Sequence, residues 1–168
     1  FKNSTIFKIF VSNKRLLLFL IQQQMIQMKP TVLNFILEEG ELNKPRYCHF
    51  FYPELKKHIE KERAKQIEKE ILDFNSSNFE NFEEKRLLGE NDSYICSLIR
   101  EDSLDEFISY INKFDIKISD HLFSTASIFE TNSFLIEKKP TIIEYAVFFG
   151  SIQIFKYLIS NNVKLTPS

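Results

Sequence analysis

Between Pro140 and Val163 the chain has room for little except two short helices folded back on one another. Thr141-Ile142-Ile143-Glu144 has the S/T-x-x-E form of a capping box, in which Thr and Glu each satisfy one orphan backbone donor at a helix start. Ile143, Ala146 and Val147 follow at helical spacing and are expected to form the buried face of that helix. Ala146 is small enough for a second helix to approach closely. Gly150 stops the first helix where the backbone needs an unhindered turn. Ile152, Phe155, Leu158 and Ile159 are the expected buried face of the second helix, and Asn162 stands where a left-handed C-cap belongs. Such a hairpin leaves an apolar face that only a neighbour can cover.

The rest of the chain agrees with an all-α protein. Only 3 Gly and 5 Pro interrupt 168 residues, and Leu, Ile and Phe recur at helical spacing. Apolar residues make up 43% and charged residues 27%, an ordinary globular balance. The 18 Phe go with abundant Ile, Asn and Lys, the drift of an AT-rich genome, and carry no functional message. A formal net charge of -1 gives no concentrated basic face for nucleic acid. Cys48 and Cys96 lie far apart without CxxC spacing and read as buried thiols of a reducing compartment, so an intracellular, cytoplasmic location is expected. The longest apolar run, Leu16 to Ile21, falls far short of the roughly 20 residues of a membrane span, so no membrane partner is expected. Without an initiator Met, and stopping in mid-pattern at Thr166-Pro167-Ser168, the chain is expected to be a fragment of a longer protein.

Along the chain, Ile6, Ile9 and Phe10, a polar break at Ser12-Asn13-Lys14, then Leu16, Leu17, Phe19 and Leu20 predict helix, turn, helix. Pro30-Thr31 opens a third helix, which Gly40 stops. Residues 41–52 read as a loop whose Tyr47, Phe50, Phe51 and Tyr52 are too apolar to lie free in water. From Pro53 to about Leu72, Leu55, Ile59, Ile67 and Ile71 predict one long helix with a thin apolar stripe. Asn75-Ser76-Ser77-Asn78 breaks the chain before a short helical turn carrying Phe79, Phe82 and Leu87-Leu88. A second hairpin follows: Tyr94, Ile95, Leu98 and Ile99 on one helix, Glu101-Asp102 as the turn, then Ser103-Leu104-Asp105-Glu106 as a second capping box opening a helix with Leu104, Phe107, Tyr110 and Ile111. Residues 115–139 have no clean period and predict mostly loop, with one short helix.

The Pro140–Val163 hairpin resembles an ankyrin repeat. Thr141 falls on the Thr of the family's Thr-Pro-Leu-His signature, Ile143 on its Leu, Ala146 on its first Ala, Gly150 on the inter-helix Gly and Tyr157-Leu158-Ile159 on the Leu-rich triplet. Ile142, Glu144, Val147 and Asn162 stand where the family has Pro, His, Ala and Gly, so the capping box takes over from the Thr–His turn. Ser103–Ile111 resembles the second helix of a more degenerate repeat, and Ile6–Ile21 a further one. Ile128–Phe134 leading into the repeat is similar to ankyrin-containing proteins of parasitic protists that carry a helical N-terminal region of unassigned function. The resemblance implies a short solenoid over 91–168 behind an irregular helical region over 1–90, with more repeats after Ser168.

It also implies a function: non-catalytic recognition of an unidentified protein by a monomer, with no cofactor and no metal. Glu144, Phe148, Phe149 and the loop residues Lys138, Lys139 and Lys164 are the expected contact positions. Phe148 and Phe149 admit two readings, an aromatic anchor for a partner or packing on a neighbouring repeat, and the second is favoured. His58 lies four residues after Glu54, and Cys48 beside His49, but neither pair reaches the four ligands of a structural metal site. The triplets at Asn3, Asn75 and Asn91 are those expected by chance in an Asn- and Ser-rich chain. Two alternatives remain beside recognition: a structural spacer between other domains, and a hydrolase using the acidic cluster Asp92, Glu101, Asp102, Asp105 and Glu106. Nothing near that cluster supplies a nucleophile or a phosphate loop, so no enzyme is expected.

Overall fold

The computed structural model describes residues 3–37, 47–74, 79–118 and 127–165. The described residues hold twelve helices and no strand, an all-α fold as expected. In chain order these are α1 (Asn3–Phe10), α2 (Lys14–Gln22), α3 (Pro30–Leu37), α4 (Tyr47–Phe50), α5 (Tyr52–Leu55) and α6 (Lys61–Phe74). There follow α7 (Phe82–Leu88), α8 (Tyr94–Arg100), α9 (Leu104–Lys113), α10 (Ser133–Lys138), α11 (Ile142–Phe149) and α12 (Ile152–Ser160). Gly40 and Asn75–Asn78, expected as a helix stop and a chain break, lie outside the described residues. The chain divides into two compact units, 1–90 with 128–136, and 91–127 with 137–168.

In the first unit α1 and α2 form the expected pair, with the Asn13 side chain accepting from the Leu16 N–H at 2.9 Å to cap α2. Their apolar faces close on α3 and on the segment 47–52, every residue of which is buried. That segment is not the loop that its composition predicts. Buried backbone must satisfy its own polar groups, so it turns helical, with Phe51 N–H bonded to the Tyr47 carbonyl and Leu55 N–H to Phe51. The long helix expected over 53–72 is broken as well. α5 ends at Leu55 and α6 begins at Lys61, and the bend lets Lys56 reach Glu68 at 2.7 Å, residues that one straight helix would hold about 18 Å apart. The apolar stripe itself holds, with Leu55, Ile67 and Ile71 buried and Ile59 packed against them.

Two buried cations complete this core. Arg86 is fully buried; its Nη2 meets both carboxylate oxygens of Glu54 at 2.9 and 2.7 Å, and its Nη1 meets Glu83 at 3.0 Å. Glu54 is thereby engaged by Arg86, while His58 stands exposed in the turn after α5. Lys14 donates to the Glu130 carbonyl at 3.2 Å, with its ammonium 5.4 Å from the rings of both Tyr47 and Phe50. Glu130 belongs to the returning segment 128–136, which also buries Ile128 and sets Phe129 edge-on to Phe82 at 5.1 Å.

The second unit holds two helical hairpins, α8–α9 and α11–α12. α8 packs on α11 and α9 on α12, besides the contacts within each hairpin. Both inter-helix turns close in the same way. Ser103 N–H bonds the Leu98 carbonyl and Asp102 N–H the Ile99 carbonyl; Ser151 and Gly150 repeat this on Ala146 and Val147. Asp102 and Gly150 hold the left-handed position, at φ 52° and 72°. Asn162, at φ 59°, is the left-handed residue expected after α12.

Candidate functional site

The expected contact positions gather around α11, and its start is built as the sequence predicts. Thr141 Oγ1 accepts from the Glu144 N–H at 3.4 Å, while the Glu144 carboxylate accepts from the Thr141 N–H at 2.8 Å. Glu144 is therefore held by the helix it opens. Ile142, Ile143, Tyr145 and Ala146 are buried. Val147, expected in that face, is 52% exposed. The reason is that α11 is covered by α8 as well as by α12, which rotates the buried arc toward Ile142 and Tyr145. Steps of 100° then place Glu144, Val147 and Phe148 together on the opposite side.

Phe148 is 43% exposed on that side, and Phe149 turns away, half-buried against Tyr145 at 4.6 Å and Phe148 at 5.0 Å. Lys138 and Lys139 are exposed on the approach to α11, Lys139 with a left-handed φ of 46°. Lys164 is exposed beyond α12, and the antiparallel return of the hairpin brings it back to the end where α11 begins. The three lysines and Glu144 thus share one end of the hairpin, and the two phenylalanines occupy the other.

On α12, Ile154 and Leu158 are buried and Phe155 half-buried, whereas Ile152 and Ile159, expected in the buried face, are exposed. Ile154 and Leu158 share one side of α12 at i, i+4, and α12 packs on α9 with Tyr157 edge-on to Phe107 at 6.3 Å.

The two hairpins are tied by groups that sequence reasoning had assigned elsewhere or passed over. Both carboxylate oxygens of Asp102 accept from the Gln153 N–H at 3.0 Å, and one also accepts from the Ile154 N–H at 3.0 Å. The turn of one hairpin therefore caps the second helix of the next, where a negative charge meets unsatisfied donors. The buried Ser151 hydroxyl donates to the Ile99 carbonyl, and Arg100 donates to the Tyr145 hydroxyl at 2.9 Å. The one legible signal was the turn at Glu101-Asp102, since Asp tolerates the left-handed region.

The acidic cluster disperses onto such tasks. The capping box expected at Ser103 is not formed: the Ser103 N–H is bonded to the Leu98 carbonyl, and Glu106 accepts from the Tyr94 hydroxyl at 3.0 Å. That bond holds the Tyr94 phenol above its ordinary pKa. Asp92 accepts from the Ser127 hydroxyl at 2.6 Å. Cys48 and Cys96 are buried and form no disulfide, and His49, beside Cys48, is buried and pairs with Glu70 at 2.9 Å. Asn91 is buried, its side chain accepting from the Ser93 N–H. Among the described residues no group of three or more His, Cys, Asp or Glu is arranged to hold a metal ion, and no helix is long and apolar enough to cross a membrane. Comparison with protein-family models, with curated proteins and with solved structures finds no match to the chain.

Proposed function

We propose that the second unit is a short stack of ankyrin-type repeats whose work is non-catalytic recognition of a partner protein. The observation that carries this reading is the matched register of the two hairpins. Each turns through a left-handed residue followed by Ser, each closes with the same pair of backbone bonds, and helices pack first on first and second on second. Repetition of one packing unit is how a solenoid extends a surface without building a catalytic cleft. The contact face we assign is the outer side of α11 with its flanking lysines: Phe148 at one end, Lys138, Lys139 and Lys164 at the other. Phe149 lies partly inside the hairpin and supports Phe148 rather than reaching outward.

Glu144 is a poor position to test, since its loss would unfasten the cap of α11. Phe148→Ala is the better probe. Affinity capture read by mass spectrometry, comparing the parent chain with Phe148→Ala, is expected to lose a specific protein while the melting temperature stays within a few degrees. A variant that keeps every partner but melts far lower would make Phe148 a packing residue and remove the assigned face.

A further inference from the structure

Outside the α11 face, the described residues of the second unit form a groove with a defined chemistry. It lies along α8 and α9, encloses about 480 Å³, and is walled by Tyr94, Tyr110 and Phe114 with Asp105 and Glu106 at its side. The rings form a continuous row: Tyr94 stands edge-on to Tyr110 at 5.1 Å, and Tyr110 lies 4.7 Å from Phe114. Core packing does not account for them, because Tyr94 is 52% and Phe114 56% exposed. Tyr110 and Phe114 sit at i, i+4, so α9 aims both rings at one strip of surface. The Tyr94 hydroxyl is held by Glu106, which fixes its ring in the row.

Aromatic faces carry negative potential, and two carboxylates beside them add to it, so the site selects for a cation. A cation already occupies part of it: the Lys113 ammonium lies 5.4 Å from the centre of the Phe114 ring. The groove is open along its length and wider than one ammonium group requires, whereas a small ligand is retained by a pocket that buries most of its surface. We propose that this groove seats a lysine- or arginine-bearing peptide segment of a partner protein, with the cationic head over Tyr94 and Tyr110 and its charge answered by Asp105 and Glu106. Lys113 competes with that head for the aromatic row. The inference goes beyond the assignment of the α11 face and holds whether or not that face binds.

The test is an NMR titration of the isotope-labelled full chain with Gly/Ser heptapeptides carrying lysine, trimethyl-lysine, arginine or norleucine at the centre, and with choline. The three cationic peptides are expected to shift the resonances of Tyr94, Tyr110 and Phe114, and the norleucine peptide to leave them in place. Asp105→Asn and Phe114→Ala should each weaken binding by about two- to fivefold, the range of an exposed cation–π or charge contact. Lys113→Ala should tighten it by a similar factor, an effect that an apolar groove would not show. Equal shifts with norleucine would overturn the cation reading, and choline binding as tightly as the peptides would overturn the peptide. Absence of any shift at these three rings would remove the site.

Discussion

At the scale of single residues, what could be read in the sequence was what is local. Thr141 and Glu144 are three residues apart, and their reciprocal bonds need nothing but the helix they open. Thr141→Ala is expected to cost about 1 kcal/mol, measured by urea unfolding. Arg86 was invisible for the opposite reason: its partner Glu54 lies 32 residues away, and a charge is a sensible core residue only once that partner is in place. Arg86→Ala should destabilise by about 3–5 kcal/mol, because it leaves Glu54 facing a buried gap without its counter-charge. Tyr47 gives a pH signature. Burial pushes its phenol up to about 12. A folded-state pKa above the unfolded value of about 10 means the contribution is complete below pH 10 and is lost as pH rises toward 12. Alkaline unfolding, followed by tyrosinate absorbance, should therefore set in above pH 10 and become less steep in Tyr47→Phe.

At the scale of elements, the existence of helices was legible and their rotation was not. Both helices of the Pro140–Val163 hairpin form with the expected turn. Yet Val147, Ile152 and Ile159 point outward, because periodicity marks an apolar stripe without saying how many neighbours will cover it. The segment 47–52 taught a related lesson, since six consecutive apolar and polar residues gave no period and only burial made them helical. The glycines that end α7 and α11 separate two costs that the sequence presents as one. Gly89 and Gly150 both hold left-handed backbone, at φ 67° and 72°. A Cβ at Gly150 would enter open space, whereas at Gly89 it would come 2.6 Å from Arg15 Cδ and 2.8 Å from Thr131 Oγ1. Thr131 cannot yield freely, because its hydroxyl and its N–H both bond the Gly89 carbonyl. Gly150→Ala should then cost about 1 kcal/mol, the backbone term alone, and Gly89→Ala clearly more, compared by thermal unfolding.

At the scale of the whole molecule, the chain leaves the first unit after Glu90, returns for Ile128–Ile136 and leaves again. No compositional break announces that return, since Ile128 and Phe129 are followed at once by the polar run Glu130-Thr131-Asn132-Ser133. Phe129 nevertheless has no exposed surface, and Phe129→Ala should remove about 3–5 kcal/mol from the first unit, seen as a lower urea midpoint. A 1–90 fragment lacks that ring and the carbonyl that receives Lys14, and it should bind a hydrophobic dye and melt without cooperativity; extension to 136 should abolish the dye binding and restore cooperative melting. There is also a consequence in time. Synthesis runs from one end, so α1 to α7 leave the ribosome with an unfilled core and before the Glu130 carbonyl that Lys14 donates to has been made. They must stay that way until 128–136 emerges, 116 residues after the lysine in the Lys14–Glu130 pair. Local helices form in microseconds, but contacts of this sequence separation are slow to close. During translation the first unit is therefore the last-minute client of a segment made after the α8–α9 hairpin, and that interval is when it is most open to chaperones and to aggregation.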